Sequence, residues 1–222
     1  MSRGEAVVTA ATALAWNNVA LPQSGLGPRG RAIMGGVAGL TAVVIARRRG
    51  YTAHDLGLAA SAVPSGLRHG ALAAMVPAAA YAVAARVPAL HARLAEGESR
   101  ADFAEWVALH IPVGTVATEE LLFRSVLSTM LSRAWPRSAA TTAHALIFGL
   151  WHVRAARSAG DSVAGTVIAT GVAAWVFEEL RRRSGSVVAP ALLHLSINVG
   201  GSIAAKAART GSAKSANRGP VD

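Results

Sequence analysis

The sequence predicts an all-α protein, a polytopic transmembrane bundle of about seven helices, and three observations lead there. Of its 222 residues, 52% are hydrophobic and only 15% charged. The mean hydropathy is +0.38, outside the range of an ordinary water-soluble globule. The apolar residues gather in long runs bounded by charges or turn residues. High hydrophobicity excludes disorder, while 22 unperiodic glycines and the absence of cysteine exclude collagenous and disulfide-built folds. Thiol catalysis and cysteine-ligated metal go with them.

A crossing helix needs about 20 mostly apolar residues. The first candidate is Ala6 to Leu21; Trp16-Asn17-Asn18 interrupts its apolar run and no small-x-small site follows, so an uncleaved helix is expected. A Pro22-to-Pro28 turn leads to the second, Ala32 to Ala46, which stops at Arg47-Arg48-Arg49. After a polar connector, Arg47 to Gly66, the third runs from about His69 to Val87. Pro88 to Glu105 is the most charged interior stretch and reads as an exposed loop with an interfacial helix. The fourth to seventh candidates are Trp106 to Leu131, Ser138 to Val153, Ser162 to Phe177 and Ser184 to about Ala205. Small residues throughout suit close helix packing in lipid, and no long internal repeat is visible. Arginine-rich connectors after the second and sixth spans favour a cytoplasmic N-terminus, and the basic C-terminal tail opposes it, so topology stays open.

The net charge of +10, from 22 Lys+Arg against 12 Asp+Glu, leaves nucleic acid or an anionic lipid surface as partner. The basic residues sit in short clusters between apolar runs, without the aromatic interleaving of a nucleic-acid platform. Membrane lipid is therefore the expected partner, nucleic acid is not, and the expected location is the cell (plasma or inner) membrane, crossed several times.

Ionisable groups at membrane depth cost several kcal/mol unless paired or facing a wet cavity. The fourth span nevertheless holds Thr118-Glu119-Glu120-Leu121-Leu122-Phe123-Arg124. Glu120 and Arg124 have the favourable spacing for an intrahelical pair, which leaves Glu119, about 100° around the helix, as the candidate catalyst. The bland reading is that both acids only bridge helices. The fifth span carries Phe148-Gly149-Leu150-Trp151-His152 and the seventh His194-Leu195-Ser196-Ile197-Asn198. Each histidine has a partner four positions away on the same face, and neutral imidazole can move a proton or bind a metal. His144 lies about 12 Å along the axis from His152 and reads as accessory or packing.

These residues resemble the CAAX-protease and bacteriocin-processing (CPBP, or Abi) family of intramembrane proteases, which includes the type II CAAX prenyl endopeptidases. The family pattern EExxxR, FxxxH and HxxxN stands here as Glu119-Glu120-x-x-x-Arg124, Phe148-x-x-x-His152 and His194-x-x-x-Asn198, with no departure at a signature position. Arg183-Ser184-Gly185-Ser186-Val187-Val188-Ala189-Pro190 and Asp55-Leu56-Gly57-Leu58 are similar to other family phrases. The resemblance implies Glu119 as general base with His152 as partner in activating water, and His194 and Asn198 as donors to the developing oxyanion. It implies supporting roles for Glu120, Arg124 and Phe148. Cofactor use stays open between zinc, held by Glu119, His152 and His194 if the enzyme is metal-dependent, and no metal at all. The expected organisation is N-terminal helices with a charged loop over 1–104, the protease core over 105–206 and a disordered basic tail over 207–222.

The resulting expectation is an intramembrane endopeptidase acting on a membrane-anchored or membrane-adjacent peptide or protein. The alternatives are a non-catalytic scaffold or bacteriocin-immunity protein and a proton or cation carrier, the last weakened by the lack of two related halves. Substrate, oligomeric state and any use of prenylated proteins are not set by the sequence.

Overall fold

The computed structural model describes residues 3–97 and 99–216, and no strand occurs among them. Helix α1 covers 3–23, with α winding over Arg3–Ala15, a wider π turn over Trp16–Ala20 and α winding again over Leu21–Gln23. Helix α2, Pro28–Arg48, opens on a proline whose missing N–H is harmless in a first turn, and closes on basic residues that suit a C-terminal dipole. Helix α3 is Val63–Ala84, and α4, Pro88–Ala95, leaves it at 103°. Helix α5 covers 103–134, π-wound over Trp106–Ala117 and Glu120–Leu127. Pro112 lies in the first π stretch, where an absent N–H and a bulky ring already disfavour α hydrogen bonding. Helices α6, Arg137–Trp151, α7, Val153–Ala159, α8, Val163–Ser184, and α9, Val188–Ala216, complete the chain.

Each of the seven expected spans has a helix, yet the count of seven crossings is not reproduced. By length and composition α2, α8 and α9 as far as Gly211 are apolar enough to cross, and a fourth is gained if bent α3–α4 counts as one. The physical reasons are local. Helix α6 has 15 residues, a rise of about 22 Å against about 30 Å of hydrocarbon. Helix α5 carries Glu119, Glu120 and Arg124 on a buried face, so it belongs to the bundle interior. The expected disordered tail also differs: α9 continues through 207–216, and only 217–222 lie outside the described residues.

Glycine faces set how closely the helices approach. Helix α3 packs along α9, α8 along α6 and α2 along α5. A Cβ on Gly70 would sit 2.9 Å from the Ala189 carbonyl of α9, and one on Gly39 would sit 3.2 Å from the Thr118 carbonyl of α5. The second contact seats α2 directly behind Glu119. Such small-residue seams substitute for the hydrophobic drive that lipid removes.

The connector after α2, expected to be a polar link, is partly core: Tyr51 and Leu56 are buried. The Asp55 carbonyl accepts from Thr129 Oγ1 at 2.9 Å and Arg181 Nη2 at 3.0 Å. The Gly57 carbonyl accepts from the Val187 N–H at 3.0 Å. Gly57 has φ +67° and Gly185, at the end of α8, has φ +69°, left-handed conformations that favour glycine. The two phrases noted beside the main motifs thus meet, and together they fix the start of α9 and with it His194.

Candidate active site

Three helices supply the site. Glu119 and Glu120 come from the middle of α5, Trp151 and His152 from the end of α6, and His194 from the second turn of α9. Glu119, Glu120, Arg124, Phe148, Trp151 and His194 are buried; the His152 side chain is 20% exposed and is the ring through which the cluster meets its surroundings.

Glu119 is the point where the helices converge. Its Oε1 accepts from Trp151 Nε1 at 3.0 Å and lies 3.9 Å from His152 Nε2. Its Oε2 lies 3.9 Å from His194 Nε2 and has no hydrogen-bond partner. Both imidazoles therefore turn Nε2 toward one carboxylate and use Nδ1 elsewhere. Nδ1 of His152 meets the Phe148 carbonyl at 2.9 Å. A carbonyl can only accept, so the neutral ring carries its proton on Nδ1 and keeps a lone pair on Nε2. Nδ1 of His194 meets Glu120 Oε1 at 2.9 Å, and an ionised Glu120 dictates the same tautomer.

Glu120 does more than hold its own helix. Arg124, fully buried, lies 3.7 Å from Glu120 Oε1, beyond hydrogen-bond reach, whereas His194 makes the close contact with that oxygen. The guanidinium stands over the Phe148 ring at 4.0 Å and the Phe177 ring at 4.8 Å, where the ring quadrupoles favour a cation. The intrahelical pair expected from the spacing is thus looser than an ideal one. Phe148 stacks edge-on to His152, with centroids 4.8 Å apart, and Phe177 lies parallel to His194 at 5.1 Å.

Asn198 is one turn beyond His194, and its Nδ2 donates to the His194 carbonyl at 3.2 Å, so its donor is used within α9. His144 is buried, with Nε2 3.3 Å from the Phe123 carbonyl and its ring against Phe123, a packing position.

Trp151 escaped the sequence reading although it adjoins a motif histidine. A tryptophan N–H buried in an apolar helix needs an acceptor, and that was the available signal. The conditional zinc set, Glu119, His152 and His194, is brought together. Among the described residues, no group of three or more His, Cys, Asp or Glu is arranged to hold a metal ion.

Residues 102–200 match the family described as Type II CAAX prenyl endopeptidase Rce1-like. The match spans all three motifs, and over this segment the chain is similar to that family. No match was found among the curated proteins or the solved structures.

Proposed function

We propose that the chain is an intramembrane endopeptidase that hydrolyses a peptide bond of a membrane-anchored or membrane-adjacent substrate in the cell membrane. The observation that carries this reading is the buried Glu119 carboxylate facing Nε2 of two histidines from different helices, each at 3.9 Å. That separation is too long for a direct hydrogen bond and suits a shared water.

Water placed there gives its proton to Glu119 while its oxygen attacks the peptide carbonyl carbon. The carbonyl π electrons move onto oxygen, forming a tetrahedral oxyanion. Nε2 of His152 has the lone pair to take the proton from Glu119 and pass it to the amide nitrogen, whereupon the C–N bond breaks to leave a carboxylic acid and an amine, and the acid's proton then passes to the amine to give carboxylate and ammonium. Trp151 holds Glu119 in place with a charge-assisted hydrogen bond. His194 reaches the oxyanion as a donor only when Nε2 also carries a proton, with Glu120 accepting from Nδ1; Asn198 joins it by releasing the His194 carbonyl.

The test compares membranes from cells expressing wild type or Glu119→Ala at equal abundance, with new peptide termini mapped by mass spectrometry. Termini that depend on Glu119 support the reading and identify the substrate. Coinciding maps, with the relevant membrane proteins detected, overturn it in favour of a scaffold or immunity protein.

A further inference from the structure

Helix α6 ends at Trp151 and α7 begins at Val153, so His152 occupies a break in the helical ladder, with φ −89° and ψ 0°. Its N–H bonds the Gly149 carbonyl at 3.0 Å, three residues back. Carbonyls at the end of a helix need partners from elsewhere, and here α1 provides them. Asn17 Nδ2 donates to the Trp151 carbonyl at 2.7 Å, and Asn18 Nδ2 donates to the Leu150 carbonyl at 3.1 Å. Asn18 Oδ1 accepts from the Arg154 backbone N–H at 2.8 Å. Asn18 Nδ2 also touches the Leu14 carbonyl of its own helix at 3.2 Å.

Neighbouring residues on an ordinary α-helix point about 100° apart, yet these two reach one break. They do so within the π turn Trp16–Ala20, a rewinding found mostly as a local device, often at functional sites. The polar interruption of the first apolar run thus has a partner on both sides of the His152 peptide.

We infer that Asn17 and Asn18 are positioning residues for His152, clamping the α6–α7 turn so that Nε2 faces Glu119. The inference rests on His152 serving the hydrolysis proposed above. Among the described residues the His152 ring has one hydrogen bond, to the Phe148 carbonyl, and packs edge-on to the Phe148 ring, so the backbone of the turn sets where ring and Nε2 lie relative to Glu119. A displacement of about 1 Å at a reacting group can lower a rate about 100-fold.

The test uses the full chain in phosphatidylethanolamine/phosphatidylglycerol nanodiscs, with Asn17→Ala, Asn18→Ala, the double variant and Asn18→Asp. Asn18→Asp keeps the acceptor for Arg154 but sets a carboxylate against the Leu150 carbonyl. Amide hydrogen exchange, the ¹⁵N ring shifts of His152 and His194, and release in membranes of the Glu119-dependent termini are measured for each. In Asn18→Ala, exchange of the Arg154 amide should rise about 5- to 13-fold, equivalent to the loss of one hydrogen bond of about 1–1.5 kcal/mol. The His152 shifts should move while those of His194 stay, and cleavage should fall about 10- to 100-fold, within the range set by such a displacement. Unchanged His152 shifts, or cleavage at the wild-type rate despite faster Arg154 exchange, overturn the inference and leave the peptidase reading standing. Loss of protection throughout α6 to α9 in every variant, Asn18→Asp included, makes the pair a general packing element and also overturns it. Absence of Glu119-dependent termini in the wild type defeats the peptidase reading and this role with it.

Discussion

Glu120 Oε1 lies 2.9 Å from Nδ1 of His194, a hydrogen bond between α5 and α9 across 74 positions of sequence. The second glutamate of the motif therefore aims a histidine from another helix, and the same oxygen is the one nearest Arg124. One carboxylate thus couples the ring that faces Glu119 to the buried cation behind it.

Glu120→Ala should consequently damage fold and activity together. It leaves Arg124, fully buried, without the carboxylate 3.7 Å away, and breaking a buried pair costs about 3–5 kcal/mol. Glu120→Gln keeps an acceptor for the His194 N–H and should retain more cleavage than alanine. Thermal unfolding in detergent, beside the rate of appearance of Glu119-dependent termini, checks both; equal behaviour of Gln and Ala would count against an aiming role.

Trp151→Phe isolates one hydrogen bond. The Trp151 ring packs edge-on against Phe123, with centroids 5.1 Å apart, and phenylalanine preserves much of that contact while removing the donor to Glu119. A hydrogen bond to a charged group contributes about 1.5–3 kcal/mol, so cleavage should fall roughly tenfold or more, with a smaller change in unfolding temperature. An undiminished rate would show that Glu119 is held by other means.

The helical class and the three motifs were legible because apolar runs and ionisable residues within them are read one element at a time. Glu119, His152 and His194 stand out for the same reason: each is costly where its neighbours place it. What sequence spacing did not give depends on partners far along the chain. Trp151, Asn17 and Asn18 acquire meaning only when α1, α5 and α6 meet, and Asp55-Leu56-Gly57 becomes core only against Thr129, Arg181 and Val187. The π winding of α5 was hidden too, because a 3.6-residue period was assumed along its length. Each of the seven expected runs was found as a helix, while three or four helices are long and apolar enough to cross a membrane by length and composition.

Gly70→Leu tests the seam that carries His194. The added side chain would meet Leu192 at 2.8 Å and the Ala189 carbonyl at 2.9 Å from its Cβ alone, and backbone cannot yield as a side-chain tip can. Overpacking of this kind costs about 1–3 kcal/mol, and here it pushes α3 from α9 just before His194. A lowered unfolding temperature with loss of cleavage is expected, and Gly70→Ala should fall between leucine and wild type. Wild-type behaviour of Gly70→Leu would mean that α3 and α9 separate without moving His194.

Asp55 supplies a pH dependence remote from the chemistry. The Thr52 backbone N–H at 2.7 Å and hydroxyl at 2.8 Å, followed by Arg133 at 2.6 Å, hold its carboxyl at about 2, below the usual 3.8. A depressed carboxyl pKa gives stability that is fully present above the unfolded value and is lost as pH falls through the folded one. Wild type should therefore exceed Asp55→Asn in unfolding temperature by a constant margin above about pH 5, and that margin should close as pH falls from about 4 toward 2. Because the Asp55 carbonyl also receives Thr129 and Arg181, loosening of this turn should reach the start of α9 through Gly57 and Val187. A margin that does not vary between pH 7 and pH 2 would place the contribution of Asp55 in the hydrogen-bond geometry of its side chain and not in its charge.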